Sequence, residues 1–297
     1  MIDQNKQISK IAVIGSGTMG NGIAHVCGLS GRKVHLMDSD SNRLELGKQT
    51  IGNNLDRMIK KGIIDDTQRE QTLNNIELFT QLDEAIQSCD LIIEAIPEKL
   101  ELKEQLWKNI DVHIQKVLET DYPILATNTS SISITKLAEV VSRPEMMIGM
   151  HFFNPVPVMP LVEIILSKLT NQTAYNRIHE LTLSFNKTPI KVQDRPGFVS
   201  NRILMPMINE AIYALYEEVA DAESIDQVMT LGMAHPMGPL RLADFIGLDV
   251  CLNIMQVLYD GFGDKKYLPC PLLVEKVQKG ELGNKTSKGF FNYTTSS

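Results

Sequence analysis

The sequence predicts an α/β protein: a Rossmann-type doubly wound sheet with a helical-hairpin insertion over residues 1–193, then an all-α C-terminal domain over 194–297. Three observations predict it. A short apolar strand, KIAVIG, runs straight into Gly15-Ser16-Gly17-Thr18-Met19-Gly20 and then into the helical pattern GIAHVCGLS. Further apolar segments, KVHLMD, DLIIEAI, PILATN, MMIGMHFF, LVEIIL and KTPIKVQD, are spaced by helical or loop stretches, as in a largely buried sheet. After Asp194-Arg195-Pro196-Gly197 breaks the chain, the pattern is helical almost to the end.

In chain order, Gly15 permits the tight turn after the first strand, Gly17 lets the backbone approach a pyrophosphate, and Gly20 allows close helix–strand packing. Thr18 and Met19 complete a helix N-terminus on which phosphates can rest. The second strand ends in Asp38, at the distance where a carboxylate accepts hydrogen bonds from the adenosine ribose and repels a 2′-phosphate, so NAD is favoured over NADP. From Ser41 to about Leu78 the pattern is helical and longer than a crossover needs, which predicts a helical hairpin projecting from the sheet. Lys60 and Lys61 end its first helix, where cations complement the dipole; by themselves they suit a solvated helix end. Pro97 suits the first position of the helix after DLIIEAI, which would put Glu98 and Lys103 on its first turns, at the ligand-binding end of a strand. The same two residues also suit a capping charge and a surface lysine. After PILATN, one of Ser130, Ser131 and Ser133 must cap the helical ITKLAEVV, which leaves another to hydrogen-bond a substrate.

The segment His151–Glu163 carries the chemistry. A strand ending at His151–Phe153 and the strand LVEIIL flank a loop in which Pro155, Pro157 and Pro160 forbid helix, so a histidine and a carboxylate can face each other. Histidine moves protons near neutral pH, and a carboxylate on its second nitrogen fixes the tautomer and stabilises the imidazolium. On these residues alone, a core histidine satisfied by a backbone carbonyl is the alternative.

Composition narrows the function classes. A chain of 297 residues with 43% apolar and 22% charged residues has room for two cores and reads as a soluble protein. A net charge of −7 disfavours nonspecific nucleic-acid binding. Cys27, Cys89, Cys251 and Cys270 lack metal-site spacing, so no metal is expected and the thiols read as reduced, in a cytoplasmic protein. The start, MIDQNKQISK, has no apolar leader pattern, and no stretch is long and apolar enough for a bilayer. Asn201 and Arg202 stand near the start of a long apolar helix, where polar residues could reach a crevice between domains. The helical segments that follow offer more apolar faces than one small core needs, which predicts a homodimer.

Over nearly its whole length the chain resembles the L-3-hydroxyacyl-CoA dehydrogenase family, in particular the bacterial single-function members that act on 3-hydroxybutyryl-CoA. The matching residues are the glycine turn, Asp38, EAIPE ending at Glu98, Asn128-Thr129-Ser130-Ser131, the His151 motif with Glu163, the Asp194 to Arg202 segment, HPMGP at 235–239, and Lys285-Thr286 before Gly289. The resemblance implies NAD-dependent, reversible oxidation of a 3-hydroxyacyl-CoA, with His151 as base and Glu163 orienting it. It implies that Ser130 and Asn201 hold the 3-oxygen, that Asp38, Glu98, Lys103, Asn154 and Lys285 contact NAD, and that Asn54 and Lys61 contact CoA. Pro160 stands where the family usually has Lys, and Ser287 where Gly is common. Two other classes remain at this stage: a dehydrogenase of a non-CoA hydroxy or sugar acid, and a non-catalytic, crystallin-like protein on the same fold.

Overall fold

The computed structural model describes residues 7–117 and 122–293; Met1–Lys6, part of the stretch read as lacking a leader, lie outside them. The chain divides into two units, one ending at Asp194 and one starting at Arg195. The first unit is built from β1 (Lys10–Ile14), α1 (Thr18–Leu29), β2 (Lys33–Met37), α2 (Ser41–Lys60), α3 (Asp66–Asn74), β3 (Ile76–Phe79), α4 (Leu82–Ala85), β4 (Leu91–Glu94), α5 (Leu100–Val117) and β5 (Ile124–Thr127). It continues with α6 (Ile134–Ala138), β6 (Met147–Phe152), β7 (Leu161–Leu166), α7 (Gln172–Ser184) and β8 (Thr188–Gln193). The strands form one eight-stranded sheet in the order β3-β2-β1-β4-β5-β6-β7-β8. Its strands from β1 to β6 pair in parallel, β7 turns antiparallel to β6, and β8 pairs parallel to β7.

Strand side chains alternate between faces, and here both faces are covered. Ile11, Val13, Leu91, Ile93, Ile124, Ala126, Ile148 and Met150 pack in one cluster with Ile23, Leu44, Ile51 and Leu55 from α1 and α2. The alternate residues Ala12, Ile92, Leu125, Met147 and Ile165 are equally buried.

Four sequence expectations are corrected. Ile76–Phe79 is a strand hydrogen-bonded to β2, not the end of a helix, because Asn75 closes α3 and the apolar IEL alternation is used at the sheet edge. The hairpin of α2 and α3 exists, with a capping box between Asp65 and Gln68, but it is packed through Ile51 and Leu55 into the core rather than simply projecting. Helix α5 starts at Leu100, not Pro97; Pro97 and Glu98 lie in the turn before it, where the Ile96 amide donates to Glu94. Asp194 belongs to the first unit, since its Oδ2 accepts from Ser133 Oγ, Thr135 N and Thr135 Oγ1 at 2.6–2.8 Å.

The second unit contains α8 (Ser200–Tyr216), α9 (Ala222–Gln227), α10 (Pro239–Ile246), α11 (Leu248–Phe262) and α12 (Pro271–Gln278) around Met205, Ile208, Ile212, Leu240, Leu248, Met255 and Leu258. Its motifs turn out to be joints. In HPMGP, Pro239 is the first residue of α10, whose free Leu240 and Arg241 amides are taken by Asp226; a Cβ on Gly238 would lie 2.1 Å from the Asp226 carboxyl carbon. In the C-terminal tail, Asp244 accepts from the Phe290 and Phe291 amides and from Tyr293 Oη, each at 2.9 Å. Ser287 sits at φ 58°, a left-handed conformation that costs a Cβ-bearing residue roughly 1–2 kcal/mol. No single helix among the described residues is long and apolar enough to cross a membrane; α10 and α11 together would be, but they bend by 98° and their apolar residues form the core.

His25 on α1 is buried and neither ring nitrogen has a hydrogen-bond partner. Burial, with help from the nearby Lys187 charge, lowers its pKa from 6.5 to about 4. The unfolded chain therefore binds a proton between these values that the native protein refuses, so stability falls as pH drops from 6.5 toward 4. His25→Leu should flatten this segment of the curve, removing up to about 3 kcal/mol of acid sensitivity. Thermal unfolding of both proteins between pH 4.5 and 7.5 measures it; parallel curves would refute the assignment.

Candidate active site

The antiparallel pairing of β6 and β7 puts His151 directly opposite Glu163. Their side chains meet with Nδ1 to Oε2 at 2.8 Å, and both are buried, at 8% and 2% exposure. Directly opposed residues on antiparallel strands have Cβ atoms ~4.5–5.5 Å apart, which matches the reach of an imidazole–carboxylate bond. The Phe153 ring packs against the imidazole, with centroids 4.6 Å apart. An ionised carboxylate can only accept, so an imidazole bonded to it in this way donates from Nδ1 and keeps Nε2 for proton exchange.

The loop after β5 lies beside this strand end. Thr127 pairs with Gly149 in the parallel register, and Asn128 Oδ1 accepts the Phe152 amide at 2.9 Å, so Thr129 and Ser130 follow alongside His151. Ser133 is the N-cap of α6, accepting from Lys136 N, as one serine had to be; Ser130 is not the cap. Glu98 organises the loop. Its Oε1 accepts from the Ser130 and Ser131 amides at 2.9 and 3.1 Å, from both serine hydroxyls, and from Thr129 Oγ1.

Beneath Glu98 lies a charge chain that sequence reasoning missed. Glu94, the last residue of β4, is fully buried; its Oε1 accepts from Lys103 Nζ at 2.5 Å and its Oε2 from Thr127 Oγ1 at 2.7 Å. Lys103 is 1% exposed and also reaches Ile96 O and, at 3.3 Å, Glu98 Oε2. The surface-lysine expectation for Lys103 is thus overturned: its ammonium group is spent on two carboxylates and a carbonyl. Burial pushes the Glu98 carboxyl up, but the Lys103 charge and the hydrogen bonds from Thr129 and Ser130 together outweigh it and hold Glu98 below its ordinary value. The available signal was a carboxylate at the end of the apolar run DLIIE, where an unpaired charge is not tolerated.

A cleft of about 460 Å³ opens at the carboxyl end of β1 and β2, lined by Ser16, Gly17, Thr18, Asp38, Arg43, Asn54 and Asn154–Pro157, among others. Gly15 and Gly20 sit where no Cβ fits. A Cβ on Gly15 would lie 2.6 Å from Ala95 O and one on Gly20 1.7 Å from Gly15 O, whereas Gly17 faces open space and starts α1 without a side-chain cap. Met19 is packed against the core. Asp38 Oδ2 accepts from Ser16 N and Oγ at 3.0 and 2.9 Å, which aims the carboxylate beside the glycine turn. An uncapped helix start, room at Gly17 and an adjacent carboxylate fit a dinucleotide's pyrophosphate and ribose. Lys61 caps the C-terminus of α2 and is exposed. In the second unit Asn201 is buried at the start of α8, and Lys285 is paired with Asp249.

The family model described as 3-hydroxyacyl-CoA dehydrogenase, NAD binding domain, matches residues 10–195, and its C-terminal domain model matches 197–293. The chain belongs to the 3-hydroxyacyl-CoA dehydrogenase family. It is 48% identical over 286 residues to a 3-hydroxybutyryl-CoA dehydrogenase of Bradyrhizobium diazoefficiens, covering 96% of both chains. It is 35% identical to the human mitochondrial hydroxyacyl-coenzyme A dehydrogenase, covering 96% of this chain and 91% of that one. Among solved structures, an (S)-3-hydroxybutyryl-CoA dehydrogenase from Ralstonia eutropha superposes with a TM-score of 0.93 at 46% identity, covering 97% of this chain and 100% of that one. As a member of this family the chain is an NAD-dependent oxidoreductase. Its four cysteines are free and buried, and no described group of His, Cys, Asp or Glu is arranged to hold a metal.

Lys103→Met should strand the buried Glu94 charge and cost about 3–5 kcal/mol of stability. The double variant Glu94→Gln/Lys103→Met should recover a good part of that loss. Urea unfolding of the three proteins decides it; purely additive losses would show that the two charges do not act as a pair.

Proposed function

We propose that the chain catalyses the reversible, NAD-dependent oxidation of short-chain (S)-3-hydroxyacyl-CoA, 3-hydroxybutyryl-CoA above all, to the 3-ketoacyl-CoA. The observation that carries the reading is the buried His151–Glu163 pair at 2.8 Å. The names of the bacterial relatives support the short chain.

His151 Nε2 removes the proton from the substrate's 3-hydroxyl, and Glu163 stabilises the positive charge that develops on the ring. In the other direction the imidazolium returns that proton to the forming alkoxide. Bound NAD supplies hydride acceptance from C3, and NADH the reverse. Ser130, on the loop that Glu98 holds, and Asn201 are the proposed donors to the 3-oxygen; fixing it shortens the hydride path, a contribution that can be large. Gly15, Gly17, Thr18, Met19 and Gly20 would hold the pyrophosphate, Asp38 the adenosine ribose, and Glu98, Asn154 and Lys285 further parts of the cofactor, with Lys103 acting on it through Glu98. Asn54 and Lys61 would hold the CoA moiety, where an exposed lysine meets phosphate charge.

The second unit exposes Ile203, Val219, Val228, Leu231, Met233 and Phe245, at 57–83% exposure, an apolar surface suited to a homodimer. Sedimentation as a 33.2 kDa monomer at micromolar concentration would contradict that.

His151→Gln and Glu163→Gln should each lower kcat by about 100-fold or more with a smaller change in KM, because their effect lies in the transition state. Steady-state assays with acetoacetyl-CoA and NADH test this, and a fully active His151→Gln enzyme removes His151 as the base. Lys61→Ala should raise KM for acetoacetyl-CoA, and the penalty should shrink at high salt as the charge is screened. A truncated thioester lacking the nucleotide should be almost indifferent to the change; equal losses with both substrates would mean that Lys61 stabilises the hairpin and touches no ligand.

A further inference from the structure

Lys187 is a buried ammonium with an unusual set of partners. It is 6% exposed, it lies just ahead of β8, and it forms no ion pair among the described residues. Its Nζ instead donates to two backbone carbonyls, Val156 O and Met159 O, each at 2.6 Å. Burying an ammonium group without a counter-charge is costly, and burial lowers the Lys187 pKa accordingly. A neutral apolar side chain would fill such a site more cheaply unless the charge has work to do there.

The two carbonyls belong to the loop between β6 and β7. Pro155, Pro157 and Pro160 have no N–H to give, so the loop makes few bonds of its own: Val158 N and Met159 N both turn back to Pro155 O at 3.0 Å. Lys187 ties the middle of this loop to its end, and the next residue, Thr188, donates its amide to Pro160 O at 2.6 Å. On the other side the loop lies on α1, where a Cβ on Gly22 would meet Val156 Cβ at 2.8 Å. The same loop residues, Asn154 to Pro157, line the cleft that also holds Gly17 and Asp38.

We propose that Lys187 is the positioning residue of the dinucleotide cleft: by clamping Val156 O and Met159 O it holds the proline loop against α1 in the shape that forms the cofactor-facing wall. Hydrogen bonds from a charged donor are stronger than neutral ones, so one ammonium can do what the missing loop amides cannot. The proposal rests on the dinucleotide reading of the cleft, and NADH binding to the unaltered protein tests that reading separately.

The experiment compares unaltered protein, Lys187→Met and Lys187→Gln, each at a temperature well below its unfolding midpoint. NADH affinity is read from nicotinamide fluorescence, and amide exchange of residues 156–161 is read by mass spectrometry. Lys187→Met should weaken NADH binding about tenfold, a loss of about 1.4 kcal/mol. It should also speed exchange in the loop and raise KM for NADH while leaving kcat at saturating NADH within a few-fold. Lys187→Gln, which keeps amide donors, should fall between the two. In the unaltered protein NADH should slow exchange at Val156, Val158 and Met159, a result that does not depend on any variant folding. A lower unfolding midpoint with unchanged NADH affinity, or no protection of those amides by NADH, would overturn the proposal; failure of the unaltered protein to bind NADH would overturn the dinucleotide reading instead.

Discussion

A base needs its carboxylate at hydrogen-bond distance, and in this chain that distance is set by the reversal of strand direction between β6 and β7. Five parallel strand pairs deliver the ends of β1, β2, β4, β5 and β6 toward one edge. A further parallel strand after β6 would need a crossover of a dozen or more residues and would bring in a different partner. The short proline loop allows only the antiparallel return, and the register then places Glu163 across from His151. The pair is buried on two strands of which neither is an edge, since β5 flanks β6 and β8 flanks β7. Burial strengthens the imidazole–carboxylate interaction relative to water and keeps its geometry narrow.

The rest of the site is assembled by charges in the interior. Glu94 and Lys103 neutralise each other, Lys103 reaches on to Glu98, and Glu98 gathers the hydroxyls of residues 129–131 and the amides of Ser130 and Ser131. Each member is satisfied by the next, which is the condition under which a buried ion pair is tolerated. Such a chain adds little net stability, but it leaves the Ser130 loop few alternatives. Lys187 follows a different logic, meeting backbone carbonyls in a loop whose prolines cannot supply donors. In both cases a charge does locally what regular secondary structure does elsewhere: it fixes backbone where no ladder of N–H and C=O groups can.

Much of this was legible in the order of residues. The glycine turn, the carboxylate at the end of the second strand and the spacing of apolar runs are local signals, because each depends on backbone conformation within a few residues. His151 and Glu163 were legible for a related reason, since a proline loop between two apolar strands leaves one plausible return. Glu98 was legible only as a type of residue at the right end of a strand; the structure shows that its partners are Thr129, Ser130 and Ser131, more than 30 positions away in sequence.

By itself the sequence determined the strand-turn-helix that opens the fold and the family, because these follow from local conformation, hydrophobic period and motif spacing. Only the tertiary structure decided that Ile76–Phe79 joins the sheet edge, that Lys103 is an interior cation and not a surface one, and that Lys187 belongs to a loop some 30 residues before it. The physical reason is common to all three. A strand edge, a counter-charge and a bare carbonyl are supplied by distant parts of the chain, and the pattern around a residue carries no record of which distant group will meet it.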